Sequence, residues 1–101
     1  MKHLLITIAL ALPGVVPAMA SQELAKTRSC MACHAVDKKL VGPAFQVISV
    51  RYANQSSAAD MLAEKIIKGG GGVWGPVPMP ANPQVSKTEA QKLSAWILNL
   101  K

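Results

Sequence analysis

The chain has 101 residues, of which 11 are basic and 5 acidic, and its formal net charge at pH 7 is +6. This length accommodates one small domain and excludes an architecture with several hydrophobic cores. The basic residues are dispersed and do not alternate with aromatic side chains, so the composition argues against a nucleic-acid-binding surface.

The first twenty residues have the pattern of a secretory signal peptide. A short basic start is followed by an apolar stretch and by Ala-Met-Ala at residues 18–20, which is the small-residue pattern of a cleavage site. The apolar stretch is too short for a membrane span. We therefore expect a cleaved leader at 1–20 and one mature domain at 21–101 with no membrane span. A retained membrane anchor is the alternative.

Apolar residues recur at helical spacing in the mature chain, and no stretch alternates in the way a half-buried strand does. Ser21 is placed to cap a first helix that runs into Cys30. Ser56 or Ser57 is placed to cap a third helix, which the glycine run at 69–72 ends. The pattern predicts an all-α fold of about four helices.

Two more helix starts are marked by their residue types. Pro43 is placed to open a short second helix. Ser86 and Glu89 have capping-box spacing at the start of the fourth helix, whose apolar residues share one face. The loop between the third and fourth helices contains four prolines from Pro76 to Pro83. Its apolar side chains favour a loop that packs against the domain.

The motif CMACH, residues 30–34, holds the only two cysteines of the chain. A redox dithiol usually sits in a βαβ unit, and the sequence predicts no such strands. A structural zinc site needs about four ligands, whereas the mature chain offers two cysteines and one histidine. A chance arrangement is the third alternative. The order and spacing match the attachment motif of a c-type haem.

The spacing of this motif suits covalent haem attachment. Residues three apart on a helical turn share one face, so the sulfurs of Cys30 and Cys33 can both reach the vinyl groups along one haem edge. The next residue, His34, is placed to bring its imidazole under the iron. We therefore predict one haem c, held by two thioethers, with His34 as an axial ligand.

The second axial ligand decides between electron transfer and chemistry at an open iron site. No second histidine remains in the mature chain, so a methionine is the natural candidate. Met31 lies inside the attachment motif, and Met61 lies among apolar residues of a predicted helix. Met79 stands between Pro78 and Pro80, where the backbone is restricted. Met79 is therefore the predicted second ligand.

Four stretches, CMACH, VGPAF, GGVWGPVPMPAN and SAWILNLK, make the chain similar to the small bacterial class I cytochromes c of the c-551 type, also called c8. The similarity covers residues 21–101. It implies a periplasmic, monomeric electron carrier in which about four helices surround a His/Met-ligated haem. It also implies transient docking to redox partners such as a nitrite reductase, a terminal oxidase or a cytochrome complex.

The resemblance implies roles for four further residues. Pro43 matches a proline whose carbonyl accepts a hydrogen bond from the histidine Nδ1–H, and Asn82 matches an asparagine that supports the methionine sulfur. Trp74 matches a tryptophan whose indole N–H binds a haem propionate. Lys65 stands where relatives can have an arginine with the same role, although a lysine lacks the planar fork of arginine.

We expect an electron carrier without enzymatic activity. The alternatives are a haem-based peroxidase or gas sensor in which Met79 dissociates, and a redox subunit that is permanently bound to a larger complex. Lys38 and Lys39 follow the attachment motif and are candidates for steering a partner to the haem edge. Solubility alone is the alternative role for these two lysines.

Overall fold

The computed structural model describes residues 17–100, and within that range the chain is helical and has no β-strand. The helices are α1 (Pro17–Thr27), α2 (Phe45–Arg51), α3 (Ala58–Lys68) and α4 (Lys87–Leu98), with a 3-10 turn at Cys30–Ala32. Two isolated antiparallel bridges join His34 to Lys39 and Gly70 to Met79. The all-α prediction is confirmed. None of the helices in residues 17–100 has the length and apolar character needed to cross a membrane.

Helix α1 differs from the prediction at both ends. It spans Pro17–Thr27 and therefore runs through Ser21, which is not its cap. At the other end, Ser29 takes a left-handed φ of 66°, a conformation that a continuing helix cannot contain. The predicted continuation into Cys30 is therefore wrong, and Cys30 begins the separate 3-10 turn.

Most of the predicted leader, residues 1–16, lies outside the described residues. Residues 17–20 belong to α1, and the side chains of Met19 and Ala20 are exposed. Cleavage after Ala20 stays a prediction.

Helices α2 and α3 begin close to the predicted positions. Ala44 precedes the first residue of α2, so Pro43 lies just outside the helix. Ser57 precedes α3, but its side chain makes no capping hydrogen bond. Helix α3 ends as predicted at Gly69, whose N–H donates to the carbonyl of Lys65 at 2.8 Å.

The predicted capping box of α4 is confirmed. The backbone N–H of Glu89 donates to Ser86 Oγ at 3.1 Å, and the Ser86 N–H donates to Glu89 Oε1 at 3.0 Å. The other oxygen of Glu89 accepts from Arg28 Nη2 at 2.8 Å. This contact joins the first turn of α4 to the residue that follows α1.

Two buried serines tie α4 to the remaining helices. Ser94, in the middle of α4, donates to the carbonyl of Ala59 in α3 at 2.6 Å. Ser49 of α2 donates to the carbonyl of Leu98 at the end of α4, at 2.9 Å. Both hydroxyls therefore have acceptors in the interior, where an unpaired polar group would cost stability. Helix α4 is held along its whole length.

The apolar interior forms one cluster around α4. Leu93 is 1% exposed and lies on the predicted apolar face of that helix. Phe45 and Trp96 pack edge to face, with ring centroids 5.4 Å apart, which is a favoured geometry for aromatic pairs. The cluster consists of Ala25, Phe45, Ile48, Ala63, Ile66, Val85, Ala90, Leu93, Trp96 and Ile97.

Candidate functional site

The two cysteines lie on the turn that follows α1. The N–H of Cys33 donates to the carbonyl of Cys30 at 3.2 Å, and the His34 N–H donates to the same carbonyl at 3.0 Å. In a 3-10 turn, side chains three residues apart eclipse each other, so both thiols project from one side. Both cysteines are free and half-buried. In residues 17–100, no three His, Cys, Asp or Glu side chains are grouped to hold a metal ion, so the zinc alternative finds no ligand set there.

Burial raises the pKa of the Cys30 thiol, because the thiolate would lose hydration there. The neighbouring Cys33 adds to this rise, and a backbone hydrogen bond opposes it. The same burial places Cys30 against the apolar cluster.

The imidazole of His34 is buried and held on three sides. Its Nδ1 lies 2.7 Å from the carbonyl of Pro43. Because a carbonyl only accepts, Nδ1 carries the hydrogen and Nε2 keeps a lone pair for a metal. A Cβ added to Gly42 would lie 2.6 Å from His34 Cε1, so only glycine permits this close approach. The contact between His34 and Pro43 implied by the resemblance is present.

Phe45 covers the imidazole with its ring. The centroids of Phe45 and His34 are 4.8 Å apart and the ring planes differ by 18°. Phe45 is 3% exposed and packs in turn against Trp96 of α4. The orientation of His34 is thus set by a core residue that the sequence analysis did not assign to the site. Helical spacing identifies Phe45 as a core residue, but it does not indicate which ring Phe45 contacts.

Met79 lies on the loop between α3 and α4. It is half-buried and packs against the same cluster as Cys30. Its N–H donates to the Gly70 carbonyl at 2.7 Å, and the Gly70 N–H donates to the Met79 carbonyl at 3.0 Å. These paired bonds close the loop and fix the Met79 backbone next to the end of α3.

Asn82 anchors this loop to α3. Its Nδ2 donates to the carbonyl of Ile66 at 2.9 Å and to that of Pro80 at 3.3 Å. Its backbone N–H donates to the carbonyl of Ile67 at 3.1 Å. The side-chain amide thus connects the carbonyl of Pro80, next to Met79, to a carbonyl of α3. The implied support of the Met79 sulfur by Asn82 stays a prediction.

Of the two residues matched to propionate binding, Trp74 lies on the loop that carries Met79 and Lys65 lies in the last turn of α3, just before that loop. Trp74 is 37% exposed, and the guanidinium carbon of Arg51 lies 4.7 Å from the centroid of its ring. This is a cation–π contact, and the two residues line an open groove of about 490 Å³. A Cβ on Gly70 would lie 2.8 Å from Lys65 Nζ, so that ammonium lies over the start of the loop.

Arg51 was not predicted from the sequence. It stands in the last turn of α2, and its contact with Trp74 depends on how the loop folds back. It provides, beside Trp74, the planar guanidinium that Lys65 cannot offer.

The side chains present fit a covalently attached haem. Two free thiols project from one side of a turn, and the adjacent imidazole has Nδ1 committed to Pro43, which leaves Nε2 available. The sulfur of Met79 is carried on a loop that is closed by the paired hydrogen bonds with Gly70, and Met79 packs against the same apolar cluster as Cys30. Imidazole and thioether are the axial ligands typical of electron-transfer haems.

Comparisons with known proteins agree with this chemistry. The family model described as cytochrome c matches residues 18–101. Over 80 residues the chain is 52% identical to cytochrome c-551 of Azotobacter vinelandii, covering 79% of this chain and 96% of that protein. It is 47% identical to cytochrome c-552 of Hydrogenobacter thermophilus over the full length of both proteins. The crystal structure of cytochrome c552 from Nitrosomonas europaea superposes with a TM-score of 0.78 at 50% identity, covering 79% of this chain and 99% of that one.

Proposed function

The chain belongs to the cytochrome c family, as a small class I member of the c-551 type with one covalently bound haem c, and we propose that it carries single electrons in the periplasm. The leader at 1–20 directs export, and 21–101 is the working domain. The carrier transfers electrons between respiratory or denitrification components, for example to a nitrite reductase or a terminal oxidase. It makes and breaks no bonds in a substrate.

The proposed attachment uses Cys30 and Cys33 as thioethers, with His34 and Met79 as axial ligands. When bound, the haem supplies a one-electron couple between ferrous and ferric iron. The bond between His34 and Pro43 carries the proposal, because it favours the tautomer in which Nε2 keeps its lone pair, in the residue directly after Cys33. It also raises the basicity of the ligating nitrogen.

The other residues of the site hold the ligands and shield them from water. Phe45 restricts rotation of the His34 ring, and the paired bonds to Gly70 restrict the Met79 backbone. Ligands restricted in this way would move little between oxidation states, and the reorganisation energy of electron transfer would therefore be small. Trp74 and Lys65 are the proposed propionate partners, and their polar hydrogens would compensate the propionate charge.

Docking to partners would use the side of the domain near the attachment turn. Lys38 and Lys39 are exposed, and Lys39 forms an antiparallel bridge with His34. The backbone of Lys39 therefore lies beside that of His34, next to the proposed haem attachment. Charges at the rim of a small, transient interface mainly increase the association rate.

The test of the proposed function is the visible spectrum of the reduced holoprotein with and without carbon monoxide, combined with a redox titration. We expect sharp bands that carbon monoxide does not change, and a reversible one-electron titration. A spectrum that shifts at low carbon monoxide concentration would show an open iron site. It would then favour the peroxidase or gas-sensor alternative, in which Met79 dissociates.

A further inference from the structure

The glycine run at 69–72 begins with a residue whose backbone only glycine adopts readily. Gly69 closes α3 with φ 71° and ψ −167°. This region of the φ/ψ map is almost confined to glycine, because a Cβ would collide with the residue's own backbone. The end of α3 is therefore built on a glycine for a local conformational reason.

The space around Gly69 gives a second and independent reason. A Cβ there would lie 2.5 Å from the carbonyl oxygen of Met79, 2.7 Å from the N of Ala81 and 2.8 Å from the carbonyl carbon of Pro80. Ordinary contacts between such atoms begin at roughly 3.5 Å. The backbone of the proposed ligand and of the two residues after it thus rests directly on Gly69. Because these neighbours are backbone atoms, no side-chain rotation can relieve the collision.

Gly70 holds the same segment by hydrogen bonds. Its N–H and carbonyl pair with the carbonyl and N–H of Met79 at 3.0 and 2.7 Å. A Cβ placed on Gly70 would lie 2.8 Å from the ammonium nitrogen of Lys65. Gly69 therefore sets how closely the Met79 segment approaches α3, and Gly70 sets its register.

The second half of the glycine run lacks these close contacts, although Gly72 also has a positive φ of 88°. A Cβ on Gly71 would make only ordinary contact with Pro78, at 3.4 Å, and Gly71 does not need a positive φ. A Cβ on Gly72 would have nothing within 4 Å. Within a run of four identical residues, only Gly69 and Gly70 are thus placed where an added Cβ would come closer than 3.0 Å to another atom.

We propose that Gly69 and Gly70 form a glycine seat that positions the Met79 sulfur for axial ligation. This inference rests on the proposed role of Met79 as the second ligand. The seat acts through the backbone. Prolines on both sides of Met79 stiffen the chain, so a displacement of the Met79 carbonyl is passed on to its side chain and is not absorbed by neighbouring dihedrals.

The test compares Gly69→Ala with Gly71→Ala in the holoprotein. In Gly69→Ala we expect loss of the far-red absorption that arises from a methionine–ferric iron bond. We also expect carbon monoxide binding to the reduced protein and a downward shift of the midpoint potential. In the control Gly71→Ala all three properties should match those of the unsubstituted protein. An equal response in the two variants would overturn the proposal.

If Gly69→Ala does not fold as a haem protein, Gly70→Ala tests the proposal instead. The added methyl group meets the flexible end of Lys65 and strains φ, so we expect a weakened far-red band and partial carbon monoxide binding while helix content stays normal. An unchanged band and potential in Gly70→Ala would contradict the seat.

Met79→Ala separates the seat from the proposed function. If Met79→Ala retains the far-red band, Met79 is not the ligand, and the proposed ligand set fails together with the seat. If the band is lost in Met79→Ala but persists in both glycine variants, the ligand set stands and the seat alone is wrong.

Discussion

Arg28 donates two hydrogen bonds to a single carboxylate oxygen of Glu89, from Nε at 3.2 Å and from Nη2 at 2.8 Å. The second oxygen of Glu89 accepts the Ser86 N–H of the capping box. One carboxylate thus closes the start of α4 and connects it to the segment just before Cys30. The two ends of the domain meet at this residue.

This carboxylate predicts a pH dependence of stability. The hydrogen bond from Arg28, followed by that from the Ser86 backbone, lowers the pKa of Glu89. A lowered folded-state pKa means that the stabilisation is complete above the ordinary carboxyl pKa of about 4.3 and is lost as pH falls through the folded value. Glu89→Gln should therefore lower Tm at neutral pH and flatten its decline in acid, measured by thermal unfolding between about pH 7 and 2.

The control for this prediction is Glu64→Gln. The pKa of Glu64 is also lowered, chiefly by its hydrogen bond to Lys68, but both side chains of this pair are exposed. Exposed pairs within a helix contribute little, so the acid profile should hardly change. Identical pH profiles for Glu89→Gln and the unsubstituted protein would show that the tie between Arg28 and Glu89 has no energetic role.

Replacing Met79 by alanine should leave the haem attached, because the thioethers to Cys30 and Cys33 do not depend on the sixth ligand. The midpoint potential should fall, because the methionine sulfur, as an axial ligand, favours ferrous iron. Potentiometric titration and the far-red spectrum measure the two effects. Met61→Ala is the matched control, and it should keep both the potential and the spectrum. An unchanged potential in Met79→Ala would exclude Met79 as a ligand.

Phe45→Leu should change the orientation of His34, the proposed axial ligand, as well as the stability of the domain. Leucine keeps the site apolar but leaves a small cavity, so we expect a loss of about 1–2 kcal/mol in the free energy of unfolding. The His34 ring loses its stacking partner, and the haem methyl NMR shifts of the ferric protein, which depend on the orientation of the ligand plane, should move. Ile48→Val, in the same helix, should cost about 1 kcal/mol without moving these shifts. Equal NMR spectra for the two variants would reduce Phe45 to a core residue.

Changing both Cys30 and Cys33 to alanine should give haem-free protein that does not unfold cooperatively. The chain is small and has one phenylalanine, one tyrosine and two tryptophans, so the haem is expected to supply much of the buried apolar surface. Circular dichroism during heating tests this expectation. The single variant Cys30→Ala keeps one thioether site and should retain a transition. A sharp transition in the double variant would disprove the dependence on haem.

Reversing Lys38 and Lys39 to glutamate should slow electron transfer to an acidic partner protein, while the potential and spectrum stay the same. Steering by exposed charges is screened over about 8 Å at physiological ionic strength, so the difference should shrink as salt rises. Stopped-flow rates at several salt concentrations measure it. Reversing Lys87 and Lys92 on α4 makes the same change in net charge and should have a smaller effect. If both charge-reversed variants are slowed equally, net charge alone explains the effect and Lys38 and Lys39 have no special role in docking.

The fold was largely predictable because its signals are local. The capping box of Ser86 and Glu89 marks the start of α4, and the glycine run marks the end of α3. Helix α1 was predicted less well. Ser21 has good capping chemistry, but it stands inside a helix that already includes residues 17–20, and the break at Ser29 depends on a backbone conformation with no distinct sequence pattern.

The candidate site could be predicted from the sequence where a motif carries the chemistry, as in CMACH. It could not be predicted where the arrangement of the side chains depends on tertiary contacts. The imidazole of His34 is oriented by Phe45, which is eleven positions further along the chain. Gly69 and Gly72 are the same residue type within one run, and only the folded loop shows that a Cβ would collide with the Met79 segment at Gly69 and would have nothing within 4 Å at Gly72.

The central position of α4 has a consequence for local opening of the domain. Arg28, which follows α1, Ser49 of α2 and Ala59 of α3 each have a hydrogen-bond partner on α4. A fluctuation that detached α4 would break all three ties at once, so this helix cannot open without loosening its neighbours. The backbone amide hydrogens of α4 are therefore expected to exchange with solvent only when the whole domain opens.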